Sequence, residues 1–347
     1  MLNFSLLNRK INWSCASEVL QRLASRYRDA QTLLTEIRYA NKDFKLPSAD
    51  LGLLSRHPLA QGLLAYRRGA LNEQRAERML EAIVRIDASG LACLRAGEPS
   101  IMQLQCLLPE SDTRGASIRI VENSRFDRST LDSFLNVLVD CCGPDYATFL
   151  GIVKTVSIVR VEAKGELPYF SGCDGDTFGA IHTTYPGDPF VFAETLTHEA
   201  AHQWLFLHEE VAELSAESWS GSLWVSPWRA DPRPIGGVIH GVFVFSCAAL
   251  VLSLLVDHLE GCSDETTRDR VARRICRLFA QVEIGLGEMD RCPNLTEGGK
   301  RIAGAAGDRL DSIQERLKPA YLVEARSQCR REQSAKLDKL YQNAKAV

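Results

Sequence analysis

The stretch LTHEAAHQW, from Leu196 to Trp204, sets His198, Glu199 and His202 in the spacing H-E-x-x-H. On an α-helix, residues four apart lie about 40° apart in projection, so the two imidazoles share a face and can converge on one cation. Glu199 stands beside them, able to reach a metal-bound water. Two chemistries use such a set. A zinc peptidase takes the glutamate as general base toward that water. A non-haem iron centre takes two imidazoles and a third protein ligand, and leaves its other positions open for co-substrate. Six of the seven histidines (182, 198, 202, 208, 240 and 258) fall within residues 182–258, a clustering that favours a metal over a chance motif.

The third ligand separates these chemistries, and the chain offers several candidates. His208 follows His202 by six residues, as in the extended H-E-x-x-H-x-x-G-x-x-H motif of one peptidase class. Leu205 stands where that motif needs a glycine to turn the chain. A helix continuing through WLFL would carry His208 about 120° away from His202. The only methionine downstream is Met289, in a polar context, so no Met-turn follows. His208 is expected at the surface or behind the ligands. Glu213 and Glu217 could act as carboxylate ligands, but their polar surroundings suit a solvated face better. His240 lies inside the apolar run IGGVIHGVFVFSCAALVLSLLV, 235–256, where a buried imidazole needs a partner. Gly236, Gly237 and Gly241 around it would let helices approach closely. His240 is the preferred third ligand.

The elements that must position these residues can be read in outline. Asp188 before Pro189 is a helix start, the carboxylate capping and the proline in the first turn. The helix so opened carries the H-E-x-x-H residues. Segments 117–123, 155–163 and 179–185 are β-branched and alternate with period two, as strands do. Between them 129–142 reads as a helix with Ser129 as its cap, and FSGCDGDTF (170–178) as a loop. The first hundred residues have helical periodicity, and from Asp264 three amphipathic helices follow. All strands are expected before residue 190. The fold class expected is α+β and predominantly helical, a zincin-like metal-binding core with a small sheet beside the H-E-x-x-H helix, wrapped by helices. The polar ESDTRG segment divides a helical N-terminal region, 1–112, from a metal-binding core with its C-terminal helices, 113–347. Trp219, Trp224 and Trp228 are expected to anchor a long loop, and His182 to be an ordinary strand histidine. The strand 179–185 could be an edge strand able to pair with an extended peptide.

Composition excludes some partners. The net charge is −3 with 24% charged residues, so no basic excess points to nucleic acid. The run 235–256 is long enough to cross a bilayer. His240 within it and the lack of flanking Lys or Arg favour a buried central helix and no membrane association. The N-terminal MLNFSLLNRKINWS lacks the order of a secretory signal, and eleven cysteines without a CxxC pair read as reduced thiols, which makes a cytoplasmic protein the expectation.

HEAAHQ followed by SPWRADPRPIGGVIHGVFVF (226–245) resembles the HExxH-motif peptide-modification proteins, a family that includes 2-oxoglutarate-dependent peptide β-hydroxylases encoded with ribosomally synthesised peptide natural products. The resemblance covers about 190–250 and rests on the H-E-x-x-H helix paired with a downstream RP-x-G-x-x-HG segment. It implies Fe(II) held by His198, His202 and His240, with positions left for 2-oxoglutarate and O₂. A 2-oxoglutarate site also wants a cation for the distal carboxylate. Arg233, nearer His240, is the first choice and Arg229 the second. The substrate implied is a precursor peptide, with the helical N-terminal region as a candidate reader of its leader segment. Two alternatives stand beside this one. In the first, a zinc metallopeptidase uses Glu199 as general base. In the second, a zincin-like scaffold keeps a structural metal for binding alone.

Overall fold

A computed structural model describes residues 14–40, 51–70, 72–84, 100–101, 117–120, 128–162, 169–216, 222–258 and 264–345. Helices account for 72% of them, beside a five-stranded and a two-stranded sheet, which is the predominantly helical α+β composition expected. The chain forms two compact units. One comprises residues 17–139 and 146–207; the other comprises 1–16, 140–145 and 208–347. The division falls within the H-E-x-x-H helix. The polar segment at 111–115, where the sequence suggests a boundary, lies outside the described residues, as do Glu217 and Trp219.

The first unit begins with helices α1 (Ser14–Ala40), α2 (Leu51–Leu54), α3 (Pro58–Arg67) and α4 (Glu73–Val84). Their apolar faces meet in a core of Leu34, Leu54, Leu59, Leu63, Met79 and Ile83 that also takes in Ala180 of the sheet. The strands are β1 (Ser100–Ile101), β2 (Ser117–Ile120), β3 (Thr155–Glu162), β4 (Ser171–Gly172) and β5 (Ala180–Thr183). β3 pairs in parallel with β1 and β5, while β2 pairs antiparallel with its second half. β4 pairs antiparallel with β5, Gly172 opposite His182. β5 is therefore flanked on both sides, not an edge strand as the sequence suggests. All four of its residues are buried, so the alternation in GAIHTTY marks a strand covered on both faces. Helix α5 (Arg128–Cys142) starts before Ser129, which is a helical residue and not a cap; α6 (Pro144–Leu150) follows.

Helix α7 (Pro189–Val211) opens as the sequence predicts. Asp188 Oδ1 accepts the amides of Phe190 and Val191 at 2.9 and 3.2 Å.

The second unit is built on α8 (Ile235–His258), flanked by α9 (Glu265–Asp290) and α10 (Glu297–Gln314); α11 (Pro319–Lys345) packs on α9. Its apolar run is 83% buried inside the protein, the central helix expected of a sequence apolar all round. Two strands after residue 190, β6 (Leu223–Trp224) and β7 (Arg233–Pro234), correct the expectation that none occurs there. A ladder of two residues per strand is too short to leave a periodic signal. The glycines of α8 also serve another purpose than close helix contact. A side chain on Gly241 would collide with the Trp228 ring, and the Cβ of one on Gly237 would lie 3.3 Å from the Arg233 stem. Trp228 stacks on Phe245 at 5.2 Å, and Gln281, Gln333 and Lys336 donate to the carbonyls of Val225, Ser226 and Pro227. As expected, Trp228 anchors the loop.

Candidate metal centre

On α7 the residues left partly exposed between Val191 and Phe206 are Val191, Glu194, His198, His202 and Phe206. From Glu194 onward they recur every four residues, one stripe of an otherwise buried helix. The two histidines therefore sit together at an accessible face, as the spacing requires. Their Nε2 atoms are 3.1 Å apart with the rings at 72°, and Phe206 stacks beside His202 at 6.1 Å.

That separation serves a hydrogen bond between imidazoles, and it also suits two ligands of one cation. For metal–nitrogen bonds of about 2.1 Å, nitrogens at right angles stand ~3.0 Å apart and at the tetrahedral angle ~3.4 Å. The observed 3.1 Å lies nearer the right-angled arrangement of a six-coordinate ion. Among the described residues, no three His, Cys, Asp or Glu side chains are gathered closely enough to hold a metal ion.

Several polar contacts fix the helix that presents this pair. Tyr146 Oη bonds Thr197 Oγ1 at 2.6 Å, Tyr169 bonds Thr195, and Trp204 donates to the carbonyl of Phe149 at 2.9 Å. Gln203, wholly buried, accepts from the Gly179 amide at 2.8 Å. It thereby ties α7 to the loop 173–179, whose Gly179 has φ +94° and would be strained by any side chain. Arg26 donates to Gly175 O at 2.9 Å, so the loop is held at a second point.

Glu199 lies off the exposed stripe, 3% exposed. Burial raises its carboxyl pKa to about 7, against the opposing pull of hydrogen bonds with Cys173 and Ser171. A carboxyl poised there exchanges protons near neutrality, the property wanted of a general base. Cys173 and Ser171 are partners that the motif alone does not disclose.

His208 is carried by the last turn of α7, because the helix does continue through Leu205. It is half-buried, its ring 6.4 Å from Phe243. Burial, aided by Arg301 and Arg309, lowers its pKa to about 4 and keeps it neutral. Glu213 is exposed, in keeping with a solvated face. His240 is 5% exposed, and its Nε2 lies 3.1 Å from Glu209 Oε1. The buried imidazole thus has the partner that its apolar helix demands, and sequence reasoning missed Glu209. Arg229 and Arg233 both reach the exposed Asp231, at 3.7 and 3.4 Å. His182 is fully buried in β5, opposite Ser157 and Gly172, an interior strand histidine.

No protein-family model matches this sequence, and none of the curated proteins matches it either.

Proposed function

We propose that the protein is an Fe(II)- and 2-oxoglutarate-dependent oxygenase that hydroxylates the β-carbon of a side chain in a ribosomally synthesised precursor peptide. The observation that carries this reading is the His198–His202 pair, with nitrogens at a separation suited to adjacent positions on a six-coordinate ion. His240, nominated by the sequence, is the third ligand of the proposal. Its contact with Glu209 supports this choice, because a carboxylate on one ring nitrogen fixes the tautomer and leaves the other nitrogen to ligate. Fe(II) held by these residues would allow O₂ to act as the oxidant of an unactivated carbon, one oxygen atom entering the peptide as hydroxyl and the other joining 2-oxoglutarate as it is oxidised to succinate and CO₂.

The chain's own residues supply position. Thr195, Thr197, Gln203 and Trp204 lock α7 so that the histidine stripe keeps one orientation. Phe206 shields one side of His202. Arg233, with Arg229 beside it, takes the distal carboxylate of 2-oxoglutarate in exchange for Asp231.

One observation favours a second reading. Glu199, buried with a pKa near 7, has the protonation behaviour of the general base in a zinc peptidase. Metal analysis of the purified protein combined with a succinate-release assay separates the two. The oxygenase reading expects iron-dependent succinate and a peptide heavier by one oxygen. Zinc alone, no succinate with any candidate peptide and a cleaved backbone would replace it with the peptidase.

A further inference from the structure

The second unit contains a buried cation that lacks a counter-charge among the described residues. Arg309, on α10, is 2% exposed. One nitrogen, Nη1, donates to Ser246 Oγ at 3.0 Å, and the guanidinium carbon lies 4.9 Å from the centre of the Phe243 ring. Its Nε and Nη2 are buried without a hydrogen-bond partner among the described residues. Among the described residues no carboxylate lies within ion-pair distance of it. The buried arginines of the first unit differ: Arg75 faces Asp174 at 3.8 Å, and Arg26 donates to Gln61 and Gly175. A guanidinium cannot shed its proton to escape burial, so an unpaired one is among the most unfavourable groups a core can hold.

The two open donors are adjacent. Nε–H and the neighbouring Nη2–H form one straight edge of the planar fork, and that edge matches the two oxygens of a carboxylate. Ser246 holds the fork by its other end. Its hydroxyl donates to Phe243 O at 2.8 Å, which turns its lone pairs toward Arg309. Arg301, on the same helix, adds positive potential without a carboxylate of its own among the described residues. His208, which senses both arginines, is kept neutral and places no further charge there.

We propose that Arg309 is the anchor of a buried anion site, distinct from Arg233 and Arg229, whose ligand is the carboxylate of a small organic acid held bidentately by Nε and Nη2. A planar two-point edge favours a carboxylate over a spherical halide, which can use only one point. A phosphate would need more donors than this edge provides. The site lies in the second unit alone and does not rest on the metal reading.

Full-length protein freed of metal with a chelator is titrated with acetate, succinate and 2-oxoglutarate at constant ionic strength. Binding is followed by calorimetry and thermal shift, with chloride and inorganic phosphate as controls. At least one acid binds saturably and raises Tm, and the controls do not. Arg309→Gln weakens that acid by about tenfold to a hundredfold, the worth of charge-assisted hydrogen bonds. Arg309→Lys, which keeps the charge but loses the edge, weakens it similarly. Arg309→Met raises the Tm of ligand-free protein, because it removes an unpaired buried charge at similar volume. Failure of all three acids to bind overturns the proposal. Affinity unchanged by Arg309→Gln or Arg309→Lys does so too, as does equal binding of chloride or phosphate. If the Arg309 variants do not fold, Ser246→Ala is read instead, and an affinity equal to wild type again refutes the site. Binding of 2-oxoglutarate that requires iron and survives Arg309→Gln would uphold the metal reading while removing this one.

Discussion

His57 offers a sharp test of the physical reasoning in the unit that carries the histidine pair. It is 1% exposed, and its Nδ1 accepts the Leu59 amide at 3.1 Å, capping α3. Burial lowers its pKa to about 3 from 6.5, since a protonated ring would be both desolvated and unable to accept that bond. Between those values the unfolded chain takes up a proton that the folded chain refuses. The stabilisation is therefore complete above pH 6.5 and is lost as pH falls toward 3. At 1.36 kcal/mol per pH unit the loss is about 2 kcal/mol at pH 5 and about 5 kcal/mol over the whole window. His57→Asn keeps a side-chain oxygen for the cap and removes the titration. Urea denaturation of both proteins at pH 8, 6.5 and 5 measures the difference. The wild type loses about 2 kcal/mol more than the variant between pH 8 and 5. Parallel loss in the two proteins would refute the assignment of a buried neutral imidazole.

Other outcomes follow from particular contacts. Gln203→Leu leaves the Gly179 amide without its acceptor, so stability falls by about 1–3 kcal/mol in urea titrations and the loop 173–179 exchanges amide hydrogens faster. Gly241→Ala drives a methyl group into the Trp228 ring, which costs about 1–3 kcal/mol and alters tryptophan emission; an unchanged spectrum and Tm would show that the loop does not depend on this contact. Glu209→Gln weakens iron binding by about 10–100-fold if His240 is a ligand, as loss of a ligand's carboxylate partner does. Unaltered affinity in that variant removes His240 from the proposed centre. If the pair holds a metal, His202→Ala breaks it and abolishes stoichiometric metal uptake, measured by elemental analysis after gel filtration.

Much of the scaffold was legible because its signals are local. Asp188–Pro189 opens α7 through a cap that needs only neighbouring residues, and the i, i+4 spacing of His198 and His202 puts both on one stripe. The buried run 235–256 and the three C-terminal helices follow from pattern in the same way. β6 and β7 leave no trace in the sequence because two-residue strands carry no period, and β5 reads as a possible edge because alternation does not reveal what pairs beside a strand. The three glycines around His240 suggest a helix contact, whereas two of them, Gly237 and Gly241, accommodate the side chains of Arg233 and Trp228.

Residue types and their spacing settle which atoms are offered: two imidazoles on one helical face, a glutamate beside them, and a third histidine inside an apolar helix. Helical geometry and the cost of burying polar groups suffice for that much. The tertiary structure decided what surrounds them. Glu199 is raised toward neutrality by its burial, with Ser171 and Cys173 as its partners; His240 meets Glu209, 31 residues earlier; Arg309 keeps two open donors in a closed interior. Solvation and pairing depend on residues far apart in the chain, and only packing brings those together or leaves one of them alone.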